Sequence, residues 1–191
     1  MRLFLDICQG LGLGAASGVR PFLPALLTGG LASGDLGVDF DGTKYHFLES
    51  PVWLLVITIL LVVTLLLRGV LESPAFEASL AGIAIGIGAL LFAGSLADHG
   101  YAAWPGLVAG GAVAMLAQAS SRDLTARVSK RLDREARGAL PIYFEGAAVV
   151  IAGAAVLAPP VSLLAVALLV WLLVGGRRRE GERYAGLRIL R

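Results

Sequence analysis

Long uncharged apolar runs constrain this chain more than any other feature. Between Gln9 and Gly34 the single charged residue is Arg20, and residues 146–176 carry no charge at all. Charged residues make up 16% of the chain, whereas about a quarter is usual for a soluble domain. A spanning helix needs about 20 mostly apolar residues. The runs therefore predict an all-α fold, a polytopic membrane helix bundle.

Six transmembrane helices are predicted from the apolar runs. The last run is too long for one span, since a straight helix over 146–176 would reach about 46 Å. Pro159 and Pro160 interrupt it, because neither has an N–H to continue a helix. The predicted spans are 3–33, 50–67, 78–97, 102–121, 140–158 and 161–175. They form a transmembrane domain over 1–176, followed by a basic tail over 177–191.

The charges between the spans predict an orientation. The segments 122–137 and 177–191 each hold six Lys or Arg, and the positive-inside rule puts both in the cytoplasm. The loops 35–49 and 98–101 are acidic or lack basic excess, so we expect both outside. With Arg2 and Arg68 inside, both termini are predicted to be cytoplasmic.

Several classes of function are disfavoured by the composition. One cysteine, Cys8, permits no intramolecular disulfide, and two histidines with one thiol give no metal-ligand spacing, so we expect no metal and no cofactor. A net charge of +2 gives no indication of nucleic-acid binding. The hydrolase motifs GxSxG and HExxH are absent, as are paired intramembrane aspartates, so we expect no enzyme. Asp6 interrupts the first run, whose apolar pattern continues to Ala32, so we expect no cleaved signal peptide.

Small residues repeat at four-residue steps on three predicted spans. The three sets are Gly10, Gly14 and Gly18; Ala78, Gly82 and Gly86; and Gly106, Gly110 and Ala114. In lipid such stripes mark faces where helix backbones approach each other. Packing within one chain is the ordinary explanation, and a seam in a homodimer or higher homo-oligomer is the alternative. The span 50–67 is almost entirely Leu, Val and Ile and is expected to face lipid.

Residues 122–137 are predicted to form an amphipathic helix on the cytoplasmic leaflet. Leu124, Val128 and Leu132 repeat every four residues on one face, with basic residues alongside. Such a helix attracts anionic lipid headgroups. The predicted headgroup contacts are Arg127, Lys130, Arg131 and Arg134. A solvated connector is the alternative.

Arg20, in the stretch SGVRPFLP, is the main candidate binding residue. An arginine at membrane depth costs at least about 2.5–3.5 kcal/mol. Pro21 breaks the helix beside it, and Gly18 lets another backbone approach. Irregular backbone persists in a membrane only where protein or water lines it. We interpret Arg20 as an interior site for an anionic group, with snorkelling to the outer surface as the alternative.

Few acidic residues are available to form an ion pair with Arg20. Glu145 is the first choice as partner, although it could also be merely interfacial; Asp6, Glu72 and Glu77 are the other candidates. Ser17, Gln118 and Ser120 are expected to add polar contacts inside the bundle. The predicted binding set is Arg20, Glu145, Ser17, Gly18, Pro21 and Gln118.

The opening GLGLGAASGVRPFLPAL, the glycine-rich third and fourth spans, and the Pro-Pro hairpin before a final helix resemble a bacterial multi-pass membrane family. That family is known only as domain of unknown function 4126. The resemblance implies a multi-pass protein of the bacterial cytoplasmic (inner) membrane and implies no activity.

A possible internal duplication has a bearing on function. AASGVR (15–20) aligns with AQASSR (117–122), with two identities, in spans predicted to run in opposite directions. Two inverted repeats of three helices would be the arrangement that many transporters use to build a midplane site. Chance similarity is the alternative.

These patterns favour a small integral membrane transporter, channel or lipid-handling carrier with an anion-facing site at Arg20. Membrane lipids, anionic on the cytoplasmic side, are the expected partners. The alternative is a non-transporting scaffold or assembly partner that acts through its basic cytoplasmic surfaces.

Overall fold

The computed structural model describes residues 1–67 and 74–185, except for the side chains of residues 74, 134, 135 and 176–185. The described residues form seven α-helices and two short 3-10 helices and contain no strand, so the predicted all-α class is confirmed. The α-helices are α1 (Arg2–Val19), α2 (Phe22–Ala32), α3 (Pro51–Leu67), α4 (Pro74–Asp98), α5 (Trp104–Ser129), α6 (Arg134–Leu157) and α7 (Ser162–Ala185). The 3-10 helices are η1 (His46–Glu49) and η2 (Pro159–Val161).

Helix α1 lies at the centre of the bundle, where it packs against α4, α5, α6 and α7. Most of its residues from Cys8 to Gly18 are buried, and most of those are small. A Cβ at Gly14 would touch the Gly110 backbone, and one at Gly18 would lie against the Ala114 backbone. The predicted contact role of the glycine stripes on the first and fourth predicted spans is confirmed at these positions. Four helices can surround α1 because it has so little side chain to accommodate.

The predicted break near Arg20 and Pro21 is confirmed, but its geometry differs from the prediction. Arg20 is extended, with φ −151° and ψ 124°, and α2 starts at Phe22. Gln9, in the first half of α1, donates a hydrogen bond of 2.9 Å to the carbonyl of Gly37, just beyond the end of α2. The start of α1 and the end of α2 therefore lie at the same end of the bundle. Residues 3–33 are an antiparallel helical hairpin, and their prediction as one crossing is wrong.

The loops collect at the two ends of the bundle. At one end, the acidic end, the Asp39 N–H donates to the Asp98 carboxylate, so the loops 35–49 and 98–101 are together as predicted. The turn between α1 and α2, the end of α5 and the start of α6 form the opposite, basic end. Arg2 starts α1 at the acidic end, so its predicted place beside the basic segments is wrong. Arg68 lies outside the described residues.

The predicted hairpin after the connector is confirmed. Helix α6 ends at Leu157, η2 holds the two prolines, and α7 starts at Ser162. The Ser162 hydroxyl donates to the Cys8 and Pro159 carbonyls, and it thereby fixes the start of α7 against α1. Helix α7 then runs back toward the basic end, where its Leu172 carbonyl accepts a hydrogen bond from Arg127.

The connector 122–137 is not a separate amphipathic helix. Helix α5 continues to Ser129, and α6 already begins at Arg134, so only a short turn separates them. The repeat of Leu124 and Val128 therefore belongs to the last turns of α5, where both side chains are partly buried.

The glycine stripe of the third predicted span does not face a neighbour. A Cβ at Gly82 or Gly86 would meet no heavy atom within 4 Å. The contacts of α4 fall instead at Gly88, which lies against Ala114, and at Gly94, which lies against the ring of Phe40. The glycines of α4 that pack are therefore Gly88 and Gly94, on two different sides of the helix, and not the predicted stripe.

The two windows of the proposed duplication run in the same direction. Gly14 faces Gly110 and Gly18 faces Ala114, so α1 and α5 advance together along their contact. Residues 15–20 and 117–122 both end near the basic end of the bundle. The predicted inversion between these two windows is therefore wrong, since inverted copies would be antiparallel.

Apolar side chains cover much of the outside of the bundle. On α3, only Ile57 and Thr64 are buried, as expected for a helix that faces lipid. Two described helices are long and apolar enough to cross a membrane, Ala75–Asp98 and Ala136–Leu157. Three further apolar helices are shorter: Phe22–Ala32, Pro51–Leu67 and Pro159–Gly175. The apolar surface and these helices are consistent with a membrane protein.

Candidate functional site

The turn between α1 and α2 places Arg20 at the basic end. The Arg20 N–H still donates to the Ala16 carbonyl at 3.0 Å, as in the last turn of a helix. Its extended conformation then redirects the chain, and Pro21, with φ −74°, starts the next helix. The short connection holds Arg20 at the end of the central helix, α1.

Glu145 of α6 faces Arg20 across the bundle. The Nε atom of Arg20 lies 3.7 Å from Oε1 of Glu145, and the side chains are 29% and 14% exposed. The predicted pairing of these two residues is confirmed. Burial of this degree makes each charge depend on the other, because an unpaired charge removed from water is costly.

A cavity of about 580 Å³ opens beside this ion pair. Five elements contribute to its wall: the α1–α2 turn, the second half of α3, the first half of α4, the end of α5 and the middle of α6. Its apolar lining includes Val19, Phe22, Leu61, Leu65, Leu80 and Phe144. Its polar lining includes Thr64, Gln118, Ser121 and Thr125.

The charges of the cavity are mixed. Its lining contains the cations Arg20 and Arg122 and the anions Glu77, Asp123 and Glu145. Nη2 of Arg122 lies 3.4 Å from Oε2 of Glu77, but both side chains are well exposed. The arrangement suits a ligand that carries an anionic group together with a donor or a positive charge better than it suits a simple anion.

The structure brings most of the predicted binding residues together. Gly18, Pro21 and Gln118 line the cavity with Arg20 and Glu145. Ser17 does not, since it is fully buried and its hydroxyl donates to the Leu13 carbonyl at 2.8 Å. Ser17 therefore stabilises α1 and does not face the cavity.

The other candidates have different partners. Asp6 lies at the acidic end, where its Oδ1 is 3.3 Å from Nδ1 of His99. Ser120 is buried and donates to the carbonyls of Leu116 and Leu169, which joins α5 to α7. Glu77 lines the cavity but pairs with Arg122, and Glu72 lies outside the described residues.

Sequence reasoning missed Arg122, Asp123 and Thr64 as lining residues. For Arg122 a signal existed, because the alignment of AASGVR with AQASSR superimposes it on Arg20. The two arginines do line one cavity, but through parallel helices. Asp123 and Thr64 had no such signal, since each reaches the cavity through the packing of distant helices.

The predicted headgroup residues lie at the basic end. Lys130 and Arg131 are exposed in the turn between α5 and α6. Arg127 is partly buried, with Nε donating to the Asp123 carbonyl at 3.1 Å and Nη2 to the Leu172 carbonyl at 3.4 Å. Arg127 thus links α5 to α7, and the Arg134 side chain lies outside the described residues.

Comparison with known proteins gives a family and no activity. No curated protein and no solved structure matches the chain. One family model matches residues 7–179, which include the central helix, the cavity and the α6–α7 hairpin. The chain therefore belongs to the family described as Domain of unknown function (DUF4126).

Proposed function

We propose that this protein is an integral membrane carrier that binds an amphiphilic, lipid-like molecule in the cavity beside Arg20. The observation that carries the proposal is the combination, in one cavity of about 580 Å³, of a shielded Arg20–Glu145 pair with an apolar wall. Binding sites for small molecules are commonly of this size, largely apolar, with a few convergent polar groups.

The exposed apolar surface supports a membrane location. Side chains such as Val52, Leu66, Val108, Leu164 and Trp171 are more than half exposed on three different helices. Water-soluble monomers rarely expose contiguous apolar surface on this scale, whereas lipid solvates it. The positive-inside rule would orient the basic end toward the cytoplasm. The hairpin of α1 and α2 would then put the start of α1 on the opposite side from the end of α7.

The combination of apolar and charged residues in the cavity wall favours a lipid-like ligand over a small ion. A phosphate or carboxylate headgroup could pair with Arg20 or Arg122, and the acids could accept from an amine or hydroxyl on the same headgroup. The acyl part would lie along Leu61, Leu65 and Leu80. Helix α3, which supplies two of these residues, packs mainly against α2 and η1, and its other faces are largely exposed.

Reconstitution in liposomes tests this proposal. Movement of a fluorescent anionic phospholipid between leaflets should fall by about tenfold or more in Arg20→Leu, because loss of one partner of a shielded charge pair leaves the other uncompensated. The matched control is Arg137→Leu, which removes an exposed arginine at the same end but outside the cavity. Wild-type movement in Arg20→Leu, or an equal loss in both variants, would contradict a site at Arg20.

A further inference from the structure

The acidic end of the bundle carries a second cluster of polar side chains, far from the cavity. Asp41, His46 and Glu49 converge there, with one potential ligand atom from each within 4.8 Å of the others. Nδ1 of His46 lies 2.7 Å from Oε1 of Glu49 and 2.8 Å from Oδ1 of Asp41. Sequence spacing did not reveal this set, because the two carboxylates and the imidazole come from a loop and a 3-10 helix and include no cysteine.

The geometry around His46 favours a cation between its ring and the two carboxylates. An imidazole Nδ1 carries at most one hydrogen, so it cannot donate well to two carboxylate oxygens at once. Without that hydrogen, its lone pair would face two anions. A cation at this position satisfies all three groups, and a metal ion can do so as well as a proton.

The cluster is supported on a fixed base. Glu49 is 7% exposed, and its second oxygen accepts the Phe40 N–H at 3.4 Å. Phe40 and Leu48, which directly precede Asp41 and Glu49 in the chain, are fully buried. Asp41 is positioned by its own N–H, which donates to Oδ1 of Asp39 at 2.7 Å. One ligand is therefore anchored, and the Asp41 and His46 side chains are exposed enough to adjust.

We propose that Asp41, His46 and Glu49 form a binding site for a divalent transition-metal ion of the zinc type. Tetrahedral Zn²⁺ with bonds of about 2.0–2.2 Å places neighbouring ligand atoms roughly 3.3 Å apart. The two distances from Nδ1 of His46 to the carboxylate oxygens, 2.7 and 2.8 Å, need to open by only about half an ångström to reach this value. One nitrogen and two oxygen ligands leave a fourth position for water. The imidazole selects against Ca²⁺ and Mg²⁺, which prefer oxygen ligands alone.

A bound ion would join the part of the loop 35–49 that precedes η1 to η1 itself. Asp41 precedes η1, whereas His46 and Glu49 are its first and last residues. Helix α3 starts at Pro51, directly after this segment, and η1 contacts both α2 and α3. The metal would therefore fix the connection between the α1–α2 hairpin and α3.

Zinc titration of the full chain in detergent, after treatment with EDTA and desalting, tests the site. We expect the wild type to bind one Zn²⁺ at pH 7.5 by calorimetry. His46→Ala and Asp41→Asn should each weaken binding by more than about tenfold, because even loss of a residue that only orients a metal ligand costs that much. The matched control is His99→Ala, which removes the other histidine and should bind zinc as the wild type does.

Three results would overturn the proposal. They are unchanged zinc binding in His46→Ala, a loss in His99→Ala equal to that in His46→Ala, and displacement of Zn²⁺ by an equal concentration of Ca²⁺. Asp41 and His46 are exposed, so folding should survive their replacement, and circular dichroism of each variant verifies this.

Discussion

Gly18 shows how one missing side chain sets the distance between two helices. A Cβ at this position would lie against the backbone of Ala114 in α5, and backbone cannot rotate away as a side chain can. The same helix pair also meets at Gly14 and Gly110. The position of Arg20, two residues further on, therefore depends on this close approach.

Gly18→Ala should destabilise the protein by about 1–3 kcal/mol, the usual cost of overpacking a tight core. The free energy of unfolding in mixed micelles measures the effect. Gly82→Ala is the matched control, because a Cβ there meets nothing within 4 Å. Its stability should stay within about 1 kcal/mol of the wild type or rise, since alanine is the better helix former. Equal losses in both variants would contradict the packing described for α1 and α5.

The Arg20–Glu145 pair should show energetic coupling. Arg20→Met and Glu145→Gln should each destabilise the protein, and the double variant should lose less than the sum by about 0.5–3 kcal/mol. The physical reason is that each single change leaves the other partly buried charge without its counterion. Unfolding of all four proteins in the same micelles completes the cycle. Strict additivity would show that the two side chains do not interact.

At the scale of elements, the α1–α2 hairpin distinguishes this fold from a bundle that begins with one long crossing. Both helices meet the loop 35–49, and the turn at Arg20 lies at the other end. Helix α1 has 18 residues, about 27 Å, whereas α2 has 11 residues and spans only about 16 Å. Helix α2 therefore returns through much of the bundle height, and the loop 35–49 completes the path.

Cysteine labelling across a membrane tests the hairpin. In a Cys8→Ala background, single cysteines at Arg2 and Ser33 should react with an impermeant maleimide from one side, and a cysteine at Lys130 from the other. This follows because α1 starts and α2 ends at the acidic end, while Lys130 lies in the turn at the basic end. Reaction of Arg2→Cys and Ser33→Cys from opposite sides would contradict the hairpin and support residues 3–33 as a single crossing.

The sequence predicts the residues at which helices end better than it predicts the direction in which the chain continues after them. Pro21 and the pair Pro159-Pro160 lack the N–H that a helix needs, so breaks at these places follow from local chemistry. The direction of the chain after Arg20 depends instead on contacts of α2 with α6 and α3, which lie far away in sequence. Likewise, the spacing of Gly82 and Gly86 suggested a contact face, but α4 also contains Gly88 and Gly94, and only packing decides which glycines meet a neighbour.

The whole molecule is organised around a central helix with unlike chemistry at its two ends. The cavity at the basic end could be predicted in part, since Arg20 and Glu145 are conspicuous charges in apolar surroundings. Its full lining could not, because five elements supply it. The cluster at the acidic end joins residues 41, 46 and 49, which are close in sequence, yet their convergence depends on the turn of the loop.

The enclosure of α1 also bears on how the protein is assembled. Helix α1 leaves the ribosome before the helices that surround it, α4 to α7. Until they arrive, Gln9 and Asp6 lack the neighbours that shield them in the finished bundle. The central helix therefore reaches its final surroundings only after α7 has been synthesised.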